Sequence, residues 1–171
     1  MKIGLYALGL AAMAVPSAGM AADRVVDVSS VKNVAALLQE AGYKAEIKKG
    51  NDGSSYIESG ANGSGFQLTF YGCTNDAGCN SFEFYSYFKK EPFFSVAMAN
   101  EWNAKKRFLK VTIDNDGDLA EYLYVSALGK MTYDNFKDYI DWYASMDSDL
   151  SGFIKEKREA AGGGKPGGST S

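Results

Sequence analysis

Residues 107–128 read RFLKVTIDNDGDLAEYLYVSAL. Two runs of alternating side chains flank an Asp-Gly pair, and Asp-Gly between alternating runs is a strong short-range signal for a hairpin. Period two commits this part of the chain to an antiparallel sheet: Leu109, Val111 and Ile113 face one way with Leu123 and Val125 of the partner strand. A sheet with one apolar side must bury it against another layer.

The rest of the chain supplies that layer. Ser29 and Ser30 stand where a helix cap is expected before VKNVAALLQEAG, in which Val31, Val34, Ala35 and Leu38 recur at helical spacing and Gly42 provides the stop. Alternation then takes over in Tyr43, Ala45 and Ile47, turns through NDGSS into SYIES, and turns again through GANGSG into the strand 65–73, with Phe66, Leu68 and Phe70 on one side. The run 80–90 repeats the pattern, placing Phe82, Phe84 and Phe88 opposite Glu83, Tyr85 and Tyr87. Helical spacing returns in FFSVAMANEWNAKKR, where Phe94, Met98 and Trp102 form a stripe. It returns once more after Thr132, where Phe136, Ile140, Tyr143, Leu150 and Ile154 do so. The expected order is α-β-β-β-β-α-β-β-α, an α+β fold with about six mostly antiparallel strands and helices on one face.

Both ends read differently. MKIGLYALGLAAMAVPSAGMAAD has a lysine, an apolar stretch from Ile3 to Val15 and small residues after Pro16, the layout of a secretory signal peptide with cleavage after Ala21. No membrane span is expected once it is removed, and the location is periplasmic or secreted. The segment 161–171, ending GGGKPGGSTS, is of low complexity and reads as a disordered tail. Between them, 22–160 makes one domain.

The 171-residue chain has no histidine, which removes Ser-His-Asp and Cys-His catalysis and histidine-ligated metals. Its formal charge of -3 gives nucleic acid no basic surface to meet. Its two cysteines, Cys73 and Cys79, bracket the turn formers Thr-Asn-Asp-Ala-Gly. For an exported chain, that spacer reads as a disulfide across a strand connection, contributing about 2 kcal/mol by the chain-entropy estimate. Asp114, Asp116 and Asp118 alternate as in a calcium loop, but neither register puts glycine sixth and glutamate twelfth, so they read as turn residues. No nucleophile, base or phosphate loop is recognisable, so neither an enzyme nor a cofactor is expected. A carboxylate enzyme would require two acidic side chains to meet in a cleft.

Aromatic residues carry the remaining signal. If the phenylalanines face the helices, the opposite face carries Tyr56, Tyr71, Tyr85, Tyr87, Phe108, Tyr122 and Tyr124, where polar residues are the norm. Cross-strand tyrosine pairing accounts for such a face, and so does a recognition surface for a protein or peptide, or for a second copy of the chain. A carrier of a small apolar ligand, held between sheet and helices, is the alternative function.

The segment ANEWNAKKRFLKVTIDNDGDLAEY resembles the Asn-x-Trp-Asn helix and following hairpin of the bacterial YbjN-domain family, and LLQEAGYKAEI resembles its opening helix and first strand. The resemblance spans Val26 to Phe153, and Asn100, Trp102 and Asn103 are its most specific part. It implies a fold similar to type III secretion chaperones, a regulatory or protein-binding role in sensory transduction, and neither enzyme activity nor cofactor. From spacing alone, Trp102 completes an apolar stripe. The asparagines are placed to bond backbone where helix passes into strand.

Overall fold

The computed structural model describes residues 24–162 and the backbone of Ser169–Thr170. The leader assigned to 1–21 lies outside the described residues, as does most of the tail assigned to 161–171. The elements run β1 (Val25–Val26), α1 (Val31–Glu40), β2 (Glu46–Lys49), β3 (Ser55–Ala61), β4 (Ser64–Tyr71), β5 (Ser81–Phe88), α2 (Val96–Lys105), β6 (Lys110–Ile113), β7 (Leu119–Ser126), β8 (Met131–Thr132), α3 (Tyr133–Ala160) and β9 (Ser169–Thr170). This is the expected order with three two-residue strands added. Elements that short carry no periodicity to read.

Six strands form one open antiparallel sheet in the order β2-β3-β4-β5-β7-β6, and β9 pairs with the end of β5. A separate ribbon joins β1 to β8. The fold is α+β, as the alternation predicts. The turn between β3 and β4 is Asn62-Gly63, with φ of +52° and +84°. Positive φ at both central residues matches the twist of a tight hairpin, and asparagine and glycine reach it at least cost.

Alternation sorts the sheet into two faces. Leu68 and Phe70 of β4 pair across the strands with Phe84 and Phe82 of β5, which pair in turn with Leu123 and Val125 of β7, while Phe66 stands opposite Ser59 of β3. These apolar side chains are buried together with Val34 and Leu38 of α1 and Phe136, Ile140, Tyr143, Leu150 and Ile154 of α3. Burying each large apolar side chain contributes about 1.5–3 kcal/mol, so this layer dominates stability. The Tyr143 ring lies 4.8 Å from Phe66 and 5.0 Å from Phe84, filling the space between sheet and helix.

Helix ends differ in detail from expectation. Ser30 occupies the cap position of α1, yet its side chain accepts no hydrogen bond there. The Val31 amide instead donates to the Asp76 carbonyl at 3.0 Å, so a loop remote in sequence does the capping. Phe94 precedes α2 rather than lying on it, because Ser95 Oγ accepts the Met98 amide and caps a helix that begins at Val96. Thr132 caps α3 as expected, accepting the Asn135 amide at 3.2 Å.

Candidate functional site

The face of the sheet turned away from the helices begins with a register. Tyr85 of β5 stands opposite Tyr122 of β7, and Glu83 opposite Tyr124. On the other side of β5, Tyr85 pairs with Gln67 of β4 and Glu83 with Thr69. Ring centroids are 5.4 Å apart for Tyr85 and Tyr122 and 6.2 Å for Tyr85 and Tyr87. Tyr122 and Tyr124 stack at 6.2 Å with planes 9° apart. Five tyrosines, 71, 85, 87, 122 and 124, thus form one continuous surface around Glu83. Tyr124 is 65 % exposed and Tyr71 42 %, while Tyr85, Tyr87 and Tyr122 are half-buried by one another.

Glu83 lies at the floor of that surface with only 5 % of its area exposed. The Tyr71 hydroxyl donates to its Oε1, and Oε2 has no hydrogen-bond partner among the described residues. The Tyr124 hydroxyl lies against the same carboxylate, and this contact, ahead of desolvation, pushes its pKa up to about 12. Burial pushes Tyr85 up to about 12, helped by Tyr122. Burial and the Glu83 contact raise Tyr71 as well. These phenols therefore stay protonated donors across the physiological range.

Two sequence candidates lie elsewhere. Tyr56 occupies the same face two strands away, its hydroxyl 3.5 Å from Glu58 and its strand bordered by Lys48, which pairs with Glu46 at 2.8 Å. Phe108 does not join the tyrosines. It stacks on Trp142 of α3 with ring centroids 4.3 Å apart. Regular pairing in β6 starts only at Lys110, so strand parity does not extend back to Phe108.

The motif residues hold elements together. Trp102 is buried and donates Nε1–H to the Leu109 carbonyl at 3.0 Å. Asn103 makes two bonds to Val111, donating to its carbonyl and accepting its amide, both at 2.9 Å. Asn100 is exposed on α2. The aspartates of the hairpin serve the turn: Asp114 accepts the amides of Asp116 and Asp118, and Asp118 accepts from the Lys90 amide and Lys89 Nζ. Cys73 and Cys79 form a disulfide. The loop between them is docked through the Cys79 amide on the Ser29 carbonyl and through Asp76 Oδ2, which accepts from Ser55 Oγ and Lys49 Nζ.

A pair of acidic residues escaped the sequence reading. Glu121 of β7 and Asp147 of α3 are both buried, facing each other across the core. Tyr143 donates to Glu121 Oε1 at 2.7 Å, while Glu121 Oε2 and Asp147 Oδ1 have no partner among the described residues. Burial, reinforced by Asp147, pushes Glu121 up to about 8, and burial raises Asp147 also. At neutral pH the pair holds a proton, which lets one carboxyl donate to the other. The signal was present: Asp147 falls on the stripe of Tyr143 and Leu150, and Glu121 shares strand parity with Leu123. Two acidic residues meet, as carboxylate catalysis would require, but they meet under a helix rather than in a cleft.

The family model YbjN, described as "Putative bacterial sensory transduction regulator", matches residues 30–151. No curated protein matches the chain. Among the described residues, no helix is long and apolar enough to cross a membrane.

Proposed function

The chain belongs to the YbjN family and so to a family of regulatory domains, and we propose that it acts without catalysis, by binding a protein or peptide on the tyrosine-rich face of its sheet. The observation that carries this reading is the exposure of Tyr124 and Tyr71 beside the Tyr85–Tyr122 pair. Cross-strand packing explains why Tyr85 and Tyr122 lie together. Tyr124 pairs with Glu83 and stacks on Tyr122, yet most of its area stays in solvent at the edge of that cluster. Tyrosine offers broad contact area with a polar tip and loses little conformational entropy when held, which suits a binding surface. The carrier alternative is less well supported, because Phe66, Phe84 and Tyr143 occupy the space between sheet and α3 where an apolar ligand would sit.

We place the protein outside the cytoplasm, in the periplasm or secreted, on the strength of its leader-like first residues and of a disulfide that an oxidising compartment would keep closed. Photo-crosslinking tests the binding role. A benzophenone side chain substituted at Tyr124 should yield a discrete adduct in producing cells, and one at Lys155, exposed on α3, should not. Equal adducts from both positions, or none from Tyr124, would remove the sheet face from consideration.

A further inference from the structure

Glu83 is a carboxylate almost closed off from water, and no cation pairs with it among the described residues. The lysines on the two edge strands of the sheet are engaged elsewhere. Lys48 is held by Glu46 and Glu58, and Lys110 Nζ donates to the carbonyls of Asn103 and Lys106. Two phenol groups lie against the carboxylate, and its Oε2 accepts no hydrogen bond among the described residues. A buried ion in that state is costly unless a countercharge arrives.

We propose that Glu83, with the rings of Tyr71, Tyr85, Tyr122 and Tyr124, receives an arginine side chain from a basic segment of the protein partner. The proposal rests on the tyrosine face being the binding surface and names the chemistry it selects. A cation is already held between a ring and a carboxylate just past the end of β5: Lys89 Nζ sits 4.6 Å from the centroid of Tyr87 and 3.1 Å from Asp118 Oδ2. Electron-rich ring faces attract cations, and the attraction grows as water is excluded. A guanidinium suits the site better than an ammonium, since its plane stacks on tyrosine while its N–H fork meets a carboxylate. Tyr124 is the ring that must swing aside, and its exposure leaves it room to do so. The surface is open, so a free small cation would be covered on one side only. A peptide laid across the rings would seal the pair from water.

Calorimetric titration of the full chain with a blocked hexapeptide of alternating arginine and glycine tests this, alongside glutamate and tyrosine counterparts and free arginine. The arginine peptide should bind, free arginine far more weakly, and the glutamate peptide not at all. Glu83→Gln keeps the shape, and Tyr122→Ala removes a ring on which the guanidinium stacks. Each should weaken the arginine peptide about tenfold or more, with circular dichroism confirming the fold. Glu46→Gln, an exposed acid on the same face, should change little. Equal weakening by Glu46→Gln, undiminished binding to Glu83→Gln, free arginine binding as tightly as the peptide, or no binding at all would overturn the cation site. If the tyrosine peptide binds and Tyr85→Ser weakens it while the arginine peptide does not bind, the face survives as a binding surface and the arginine assignment falls. If no peptide binds and Tyr124 yields no crosslink, both fall.

Discussion

Glu121 is a carboxyl group sealed into an apolar core, and its ionisation opposes the fold. Its folded-state pKa, about 8, stands above its ordinary value of 4.5, chiefly through burial and secondly through Asp147. The folded protein therefore holds a proton that the unfolded chain would release. The stabilisation is complete below about pH 4.5 and is lost progressively as the pH rises through 8. Within that window one such proton is worth about 1.4 kcal/mol per pH unit. The thermal midpoint should fall measurably between pH 5.5 and 8.5, and in Glu121→Gln, which cannot ionise, that slope should be much reduced. A wild-type slope that persists undiminished in Glu121→Gln would assign the pH dependence to other groups. Glu83, the other nearly buried glutamate, sits instead beneath phenol donors on the opposite face, so the two variants read out different sides of the sheet.

The joint between α2 and β6 is made by an amide side chain acting as a length of strand. Asn103 supplies both the donor and the acceptor that a neighbouring strand would offer Val111, and so closes the outer edge of β6. Asn103→Ala would leave the amide and carbonyl of a buried residue without these partners. It should cost about 1–3 kcal/mol by chemical denaturation. Asn100→Ala, on the exposed side of α2, should stay within about 0.5 kcal/mol. Comparable losses in both would mean that Asn100 has a structural share as well. This joint was partly legible in the sequence, since an asparagine after a helical tryptophan and before an alternating run is placed to bond backbone. The long elements were legible for a plainer reason: β5, β7 and α3 each repeat their apolar period several times. Legibility failed where a repeat was too brief or was broken. The ribbon of β1 and β8 has two residues a side. Phe108 lies beyond the start of its strand, and Glu121 and Asp147 are polar residues on apolar stripes, whose meeting only tertiary structure reveals.

Across the whole molecule the sheet separates two kinds of work. Its helix side is a sealed core, one lateral edge is closed by Asn103, and the opposite edge strand, β2, carries the charges Glu46, Lys48 and Lys49 that discourage strand addition. Among the described residues the tyrosine face brings five rings together in contact with water, so a partner has more to gain there than at either edge. This division was half visible in the sequence: alternation sorted the tyrosines from the phenylalanines, but parity could not show how far the tyrosines bury one another or that Glu83 lies beneath them. A pair of variants tests the separation. In Tyr85→Ser/Tyr122→Ser, half-buried rings are removed from a face that no helix covers, so the loss should be about 1–3 kcal/mol, mostly the ring–ring contact and part of their burial. Phe84→Ser, on the same strand with the opposite parity, empties a core site and adds an unpaired hydroxyl. It should cost more than the double variant or prevent folding. Association should follow the reverse order. The double variant, still folded, should lose the Tyr124 crosslink, or any self-association seen by sedimentation. A conservative core change such as Phe84→Leu should retain both. If the double variant unfolds as readily as Phe84→Ser, the tyrosines are a second core rather than a surface, and the binding face must be sought elsewhere on the molecule.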